Sequence, residues 1–262
     1  MEHRSTRPGT TASLLALGLT AAMASFSCQA QNSEDEPGDE SHWGLGVGTT
    51  LLQRPHRDID DEVKVFPVVS YENRWVSLAG SRFDLKVNES ERLSFRARAR
   101  YSLDGYESGD SEFLRGMQDR DDSVWLGGAL VWRLPAAELS AEYLADAMGN
   151  SKGSRAHVQA EHRFGFGRFG LTPRIAAEWV DKKYVAYYYG VQPDEATLVR
   201  PAYAGKSTIN VEGGVRADYT FGLKHTVFLD IGVTGYGSAI KDSPIVDGSN
   251  QSRTSLGYVY RF

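Results

Sequence analysis

The stretch STINVEGGVRADYTF, residues 207–221, alternates apolar and polar side chains along almost its whole length. One parity carries Ile209, Val211, Val215, Ala217, Tyr219 and Phe221, and the other carries Thr208, Asn210, Glu212, Arg216 and Asp218. Successive side chains of a β-strand point to opposite faces, so the pattern predicts a strand with two unlike faces. A soluble sandwich would turn the polar face to water, whereas a membrane barrel turns the apolar face to lipid and the polar face inward.

The same pattern recurs along the chain. LSFRARARY (93–101), AELSAEYLAD (137–146) and SRAHVQAEHRFGF (154–166) each set small or apolar residues on one parity against charged residues on the other. No long helical periodicity competes with it. The sequence therefore predicts a single all-β domain.

The connections between these segments differ in length in an ordered way. Short links at 72–74, 134–137, 165–170 and 220–225 alternate with long polar ones at 54–62, 104–122, 147–153, 185–205 and 239–251. Short turns at one end and long loops at the other are typical of a transmembrane up-and-down antiparallel β-barrel of the outer-membrane type. A Greek-key sandwich would not sort its loops in this way.

The strand count tests this fold. Eleven stretches stand out, near 43–53, 63–72, 75–87, 93–103, 123–134, 137–146, 154–166, 169–184, 206–221, 225–238 and 252–262. A barrel with both termini on the periplasmic side needs an even number of strands. A break between Gly80 and Ser81 splits one stretch in two, so we expect twelve strands, with ten as the alternative.

The two ends of the chain indicate export to the outer membrane. Residues 1–30 read as a cleaved signal peptide, since His3, Arg4 and Arg7 precede an apolar run and small residues precede Gln31. Residues 31–42 read as an acidic periplasmic tail, and residues 43–262 as the barrel.

The chain ends in the aromatic strand TSLGYVYRF, residues 254–262. Tyr258, Tyr260 and Phe262 share one parity, a pattern that resembles the signal read by the bacterial outer-membrane assembly machinery. The alternative is an edge strand of a soluble protein that happens to end at Phe262. The expected surroundings are therefore outer-membrane lipid and lipopolysaccharide, with the assembly machinery as a transient partner.

The inward parity of the predicted strands is strongly charged. Its members include Arg96, Arg98, Arg100, Glu138, Glu142, Glu178, Glu212 and Arg216. Lone charges in a narrow interior would be costly, so we expect arginine and carboxylate ladders that pair with one another across the lumen. The alternative is a narrow solute path lined by the three arginines of 96–100.

Several other functions are disfavoured. The formal charge of −5 and the scattered basic residues give no nucleic-acid footprint, and Cys28, the one cysteine, falls within the predicted signal. His157 and His162 fall on opposite faces of one predicted strand, which disfavours a membrane-embedded hydrolase. No pair of histidines has metal-ligand spacing, and we expect no cofactor.

A long loop resembles the signature region of the MipA/OmpV family of outer-membrane proteins. In YVAYYYGVQPDEATLVRPAYAGKS, residues 184–207, a tyrosine-rich strand end runs into YYGV and then a Pro-Ala-Tyr segment. The matching positions are Tyr188, Tyr189, Gly190, Val191, the acidic residue Glu195, Arg200, Pro201, Ala202 and Tyr203.

The resemblance implies a non-enzymatic barrel. In that family the barrel is described as a scaffold that links a lytic transglycosylase to a murein synthase, so a periplasmic murein hydrolase or synthase is the implied partner. No catalytic residue carries over to this chain.

Overall fold

A computed structural model describes residues 41–59 and 61–262. The predicted signal peptide and most of the predicted tail lie outside the described residues. Within them the chain forms thirteen β segments and two short helices. They are β1 His42–Leu52, β2 Glu62–Glu72, β3 Val76–Ala79, β4 Arg82–Glu89, β5 Leu93–Ser102, β6 Ser123–Arg133, β7 Glu138–Asp146, β8 Ser154–Glu161, β9 Phe164–Phe166, β10 Phe169–Val180, α1 Lys182–Tyr188, β11 Thr208–Phe221, β12 His225–Gly235, α2 Ser238–Lys241 and β13 Asn250–Arg261.

The segments close into one antiparallel barrel. Each pairs with its neighbours in chain order, and the pairing of β13 with β1 completes the ring. β8 and β9 both pair with β10, so they act as one strand interrupted at His162 and Arg163. The barrel therefore has twelve strands, which confirms the predicted number over the alternative of ten. The extra strand comes from the predicted break, where Gly80 has a φ of +54° in the turn between β3 and β4.

The two strand faces lie as the opening stretch predicts. On β11, Ile209 and Val211 are exposed on the outer surface, while Asn210, Arg216 and Asp218 are buried inside. A closed ladder pairs the backbone groups of neighbouring strands, which is what permits strands in hydrocarbon. The apolar surface is therefore the one that lipid contacts.

An aromatic belt surrounds the end of the barrel that carries the short turns. The rings of Phe221 and Tyr258 lie 6.4 Å apart, and those of Tyr260 and Phe262 lie 5.0 Å apart. The hydroxyl of Tyr258 also lies 2.7 Å from Nδ1 of His225. Aromatic side chains favour the interface between membrane and water, so this end marks one boundary of the membrane.

The opposite end of the barrel holds an error in the predicted elements. The strand expected to reach residue 184 ends at Val180, and the tyrosine-rich segment that follows is the helix α1. The Asp181 side chain accepts hydrogen bonds from the amides of Lys183 (3.1 Å) and Tyr184 (2.8 Å), and this cap starts the helix. β1 also begins at His42, one residue before the predicted barrel start.

Across the described ranges, no helix has the length and apolar character needed to cross a membrane.

Candidate functional site

The long loops at the outer end of the barrel fold together into what we call the outer cap. It comprises the described residues of 53–61 together with 103–122, 181–207 and 236–249. These loops and the strand ends beneath them share one apolar cluster, whose buried members include Leu114, Met117, Trp125, Leu144, Tyr184, Tyr188, Tyr236, Ile240 and Ile245. The long polar loops are thus packed together over the barrel mouth.

The signature loop lies at the centre of the outer cap. Tyr188 and Tyr189 are buried in the apolar cluster, and Val191 forms an isolated antiparallel bridge with Tyr203. A Cβ on Gly190 would lie 2.2 Å from the Ala186 carbonyl oxygen, so only glycine fits at this position. The family motif is therefore a packing motif of the cap.

The second half of the signature loop contacts two other loops of the outer cap. Arg200 donates from Nη2 to the Glu195 carbonyl oxygen (2.9 Å) and from Nη1 to the Phe113 carbonyl oxygen. The Tyr203 hydroxyl donates to the Ala239 carbonyl oxygen in α2 (2.9 Å). Pro201 lies beside them and is exposed.

A buried ion pair joins the signature loop to residues 103–122. Arg120 Nη2 lies 2.8 Å from Glu195 Oε1, and the same carboxylate accepts from the amides of Gln118 (2.9 Å) and Gln192 (2.8 Å). Burial alone would raise the pKa of Glu195, but these amide and guanidinium donors hold that pKa below its ordinary value. The pair therefore keeps its charge inside the cap.

His56 is the buried titratable base of the outer cap. Its ring stacks on Tyr189 at 5.3 Å and lies 4.9 Å from the Tyr106 ring, and its Nε2 lies 3.4 Å from the Tyr188 carbonyl oxygen. Burial lowers the pKa of His56 from 6.5 to about 4. The imidazole is consequently neutral at neutral pH.

Below the cap, the predicted charge ladder forms paired networks on the inner wall. Arg98 is buried and donates to Asp84 from Nε and Nη2, both at 2.7 Å, and to Glu142 from Nη1. Arg100 shares Glu142, at 3.0 Å, and Arg96 lies 3.5 Å from Asp84. Charge-assisted hydrogen bonds thus join β4, β5 and β7 on one side of the lumen.

A second network joins β10, β11, β12 and β13. Arg174 makes two parallel hydrogen bonds with Asp230, both 2.9 Å long, and a third of 3.1 Å with Glu212. Arg253 also approaches Glu212, at 3.6 Å. As in the first network, the ion pairs link strands that are adjacent or separated by one strand. They therefore run along the inner wall, whereas pairs across the bore were expected.

A third pair connects the lumen to the cap. Arg155 donates to Glu178 from Nε at 2.8 Å and lies 3.2 Å from Asp104. Its guanidinium also lies over the rings of Trp125 and Tyr184, at 5.3 and 5.5 Å. Movement of α1 would therefore disturb a lumen ion pair directly.

The other two predicted ladder residues, Arg216 and Glu138, make further contacts on the inner wall. Arg216 packs on the ring of Phe228, with 3.9 Å between guanidinium carbon and centroid, and Glu138 pairs with Arg133 at 3.7 Å toward the short-turn end. Sequence reasoning missed Asp84, the fully buried carboxylate at the centre of the first network. The position of Asp84 on the inward parity of β4 could have identified it from the sequence.

Apolar side chains cover one side of the lower inner wall. Phe66, Val68, Phe228 and Val259 form a second buried cluster inside the barrel. A Cβ on Gly48 would lie 2.8 Å from the Phe66 ring, and one on Gly257 would lie 2.4 Å from the Phe228 ring, so these glycines make room for the two rings. Charged networks and apolar rings together occupy the inner wall at successive levels.

The arrangement offers little for catalysis or metal binding. His157 lies in register between Glu142 and Glu178 on neighbouring strands, while His162 packs on Phe164 at a ring distance of 4.4 Å. In the described part of the chain, no group of three His, Cys, Asp or Glu side chains could hold a metal ion. The chemistry that this interior supports is mutual neutralisation of charge.

Comparison with known proteins identifies the family. The family model described as MltA-interacting protein MipA matches residues 45–262. The chain belongs to the MltA-interacting protein MipA family. The MltA-interacting protein of Escherichia coli (strain K12) is 26% identical over 253 residues, which cover 95% of this chain and 98% of the relative.

Other relatives of this MipA family member carry outer-membrane names. The putative outer membrane protein YiaT of Escherichia coli (strain K12) is 22% identical over 225 residues, covering 85% of this chain and 92% of the relative. Outer membrane protein OmpV of Vibrio cholerae is 27% identical over 157 residues, covering 60% and 61%. These names and the barrel fold place the chain in the outer membrane.

Among solved structures, the NanC porin aligns over 82% of this chain and 98% of its own, with a TM-score of 0.43 and 8% identity. A likeness at this level says nothing about function.

Proposed function

We propose that this protein is a non-conducting outer-membrane anchor that presents its short-turn end to a periplasmic murein hydrolase or synthase. The single observation that carries the proposal is that the buried charges of the inner wall neutralise one another beneath the packed outer cap. Arg98 and Arg174 are buried, each bonded to two carboxylates, under an outer cap of packed aromatic rings. A solute path would instead need hydrated, accessible charges along the bore.

The choice of partner is supported by the E. coli relative, whose name states an interaction with MltA. Scaffolding has to use the surface that faces the periplasm, which is the ring of short turns. Apolar side chains project there: Leu223 is 94% exposed, and Trp75 and Phe166 are also exposed. Exposed apolar groups at turn tips are suited to a protein contact.

Site-directed photo-crosslinking in cells tests this proposal. A photoreactive amino acid replaces Leu223 on the turn between β11 and β12, and in a matched variant it replaces Leu198 in the outer cap, which is 105% exposed. The expected result is a covalent adduct with a murein hydrolase or synthase from position 223 and none from position 198.

Absence of any periplasmic adduct from 223, and from equivalent variants at Trp75 and Phe166, would remove the scaffolding role. The same outcome with measured ion conductance would favour the narrow solute channel instead.

A further inference from the structure

The barrel wall has a gap in its outer half, which we call the lateral notch. β3 has only four residues and pairs with β2 only at Ser70, Tyr71 and Glu72. β2 continues outward through residues 63–69 with β1 on one side and, within the described residues, no strand on the other. At about 3.3 Å per residue and a tilt of about 40°, the wall beside the β3–β4 turn is roughly 15 Å higher than the turn.

The edge of β2 at the lateral notch carries backbone groups without a strand partner. The Val69 carbonyl oxygen accepts from the Gly80 amide at 3.0 Å, so the groups of Val63, Val65 and Pro67 point to the same side. Pro67 has no N–H to donate, as is typical of an edge strand. Unpaired backbone groups are costly in hydrocarbon, so this edge marks a place where polar groups or water enter the wall.

A pair of like charges lies on the inner face of the barrel at the level of the β3–β4 turn. Arg82 begins β4 and stands directly opposite Arg100 in the register of β4 and β5. Arg82 lies 3.8 Å from Asp84, a carboxylate already bonded twice by Arg98, and Arg100 shares Glu142 with Arg98. Like charges directly opposite each other in a sheet are destabilising.

The side chains of both arginines keep part of their surface accessible. The side chain of Arg100 keeps 25% of its surface accessible and that of Arg82 keeps 13%, whereas Arg98 beside them keeps 5%. Within the described part of the chain, Arg82 donates no hydrogen bond from its side chain and has the one ion pair at 3.8 Å. Two adjacent guanidinium groups with spare donors fit the oxygens of a carboxylate or phosphate.

We propose that the lateral notch admits a single-chain amphiphile with an anionic head, whose carboxylate or phosphate binds between Arg82 and Arg100. The tail stays in the hydrocarbon beside Val63 and Val65, whose side chains are 66% and 71% exposed on the outer face. The head neutralises the like-charge pair. This ligand site is independent of the proposed scaffolding role, which uses the opposite end of the barrel.

Native mass spectrometry of the mature protein in neutral detergent tests the site. The probes are dodecanoate and dodecyl phosphate, with dodecanol as the uncharged chain and acetate as the head without a tail. We expect both anionic amphiphiles to bind, and Arg82→Gln and Arg100→Gln each to weaken that binding about ten-fold or more, because each removes a charge-assisted pair. Arg92→Gln, on the exposed β4–β5 turn, is the control and should bind as the wild type does.

Three results would overturn the proposal. Binding that survives both Arg82→Gln and Arg100→Gln rules out the arginine pair, and dodecanol binding as tightly as dodecanoate rules out recognition of the head. Acetate binding as tightly as dodecanoate rules out entry from the membrane. A heat-modifiable gel shift verifies that each variant barrel is folded. Hydrogen exchange tests whether the edge of β2 is unpaired: the amides of Val63 and Val65 should exchange faster than the paired amide of Val211.

Discussion

At the scale of single residues, the lumen arginines differ sharply in what they stabilise. Arg98 satisfies two buried carboxylates at once, whereas Arg82 adds a third positive group near a carboxylate that is already bonded. Removing one partner of a buried ion pair leaves an uncompensated charge, which costs more than the pair itself contributes. Arginines on the same inward parity therefore contribute unequally to stability.

Arg98→Gln should lower the free energy of unfolding by roughly 3–5 kcal/mol, since Asp84 and Glu142 would lose their main donor. Arg82→Gln is the matched control, and it should leave that free energy unchanged or raise it by up to about 1 kcal/mol, because it relieves repulsion with Arg100. Urea titration of the refolded barrel, followed by tryptophan fluorescence, measures both. Equal losses of unfolding free energy in the two variants would contradict these unequal roles of Arg98 and Arg82.

His56 should make the outer cap sensitive to acid. Its pKa is about 4 in the folded cap and 6.5 in an open one, so between these values the open state binds more protons and the cap loses stability as pH falls. The loss at pH 5 is about 2 kcal/mol. After correction for the slower intrinsic exchange at low pH, the protection of amides in residues 103–122 and 181–205 should fall between pH 7.5 and 5 in the wild type and much less in His56→Gln. An equal fall in protection in both proteins would exclude His56 as the cause.

At the scale of elements, the alternation of side chains predicts the strands and the faces they present. It works because lipid and lumen impose opposite demands on successive residues, as on β11. The same reasoning fails at α1, where Tyr184, Val185 and Tyr188 look like a strand by propensity but pack as a helix. The Asp181 cap and the apolar cluster outweigh that local preference.

Gly190→Ala tests the signature loop as a packing element. The new methyl group would meet the Ala186 carbonyl oxygen at 2.2 Å, so the end of α1 must shift and the outer cap should loosen. Gly165→Ala is the matched control, because nothing lies within 4 Å of its Cβ. Limited proteolysis should cut residues 185–205 faster in the first variant only, while both keep the heat-modifiable barrel. Equal protease resistance would show that the close approach is unimportant.

At the scale of the whole molecule, the sequence predicts the barrel, its twelve strands and the presence of an inward charge ladder. It does not predict which charges meet. The bond between Arg98 and Glu142 joins residues 44 positions apart, and that between Arg174 and Asp230 joins residues 56 apart. The partners in these ion pairs depend on strand tilt and register around the closed barrel. The lateral notch left by the short β3 depends on them too.

A barrel whose ionic strand faces neutralise one another beneath a packed cap should not conduct ions. Planar-bilayer recording of the purified mature protein measures this. We expect a flat current trace with no unitary steps for the wild type, and steps only when Arg98→Gln or Gly190→Ala loosens the interior. Regular, long-lived conductance steps from the wild-type barrel would contradict it.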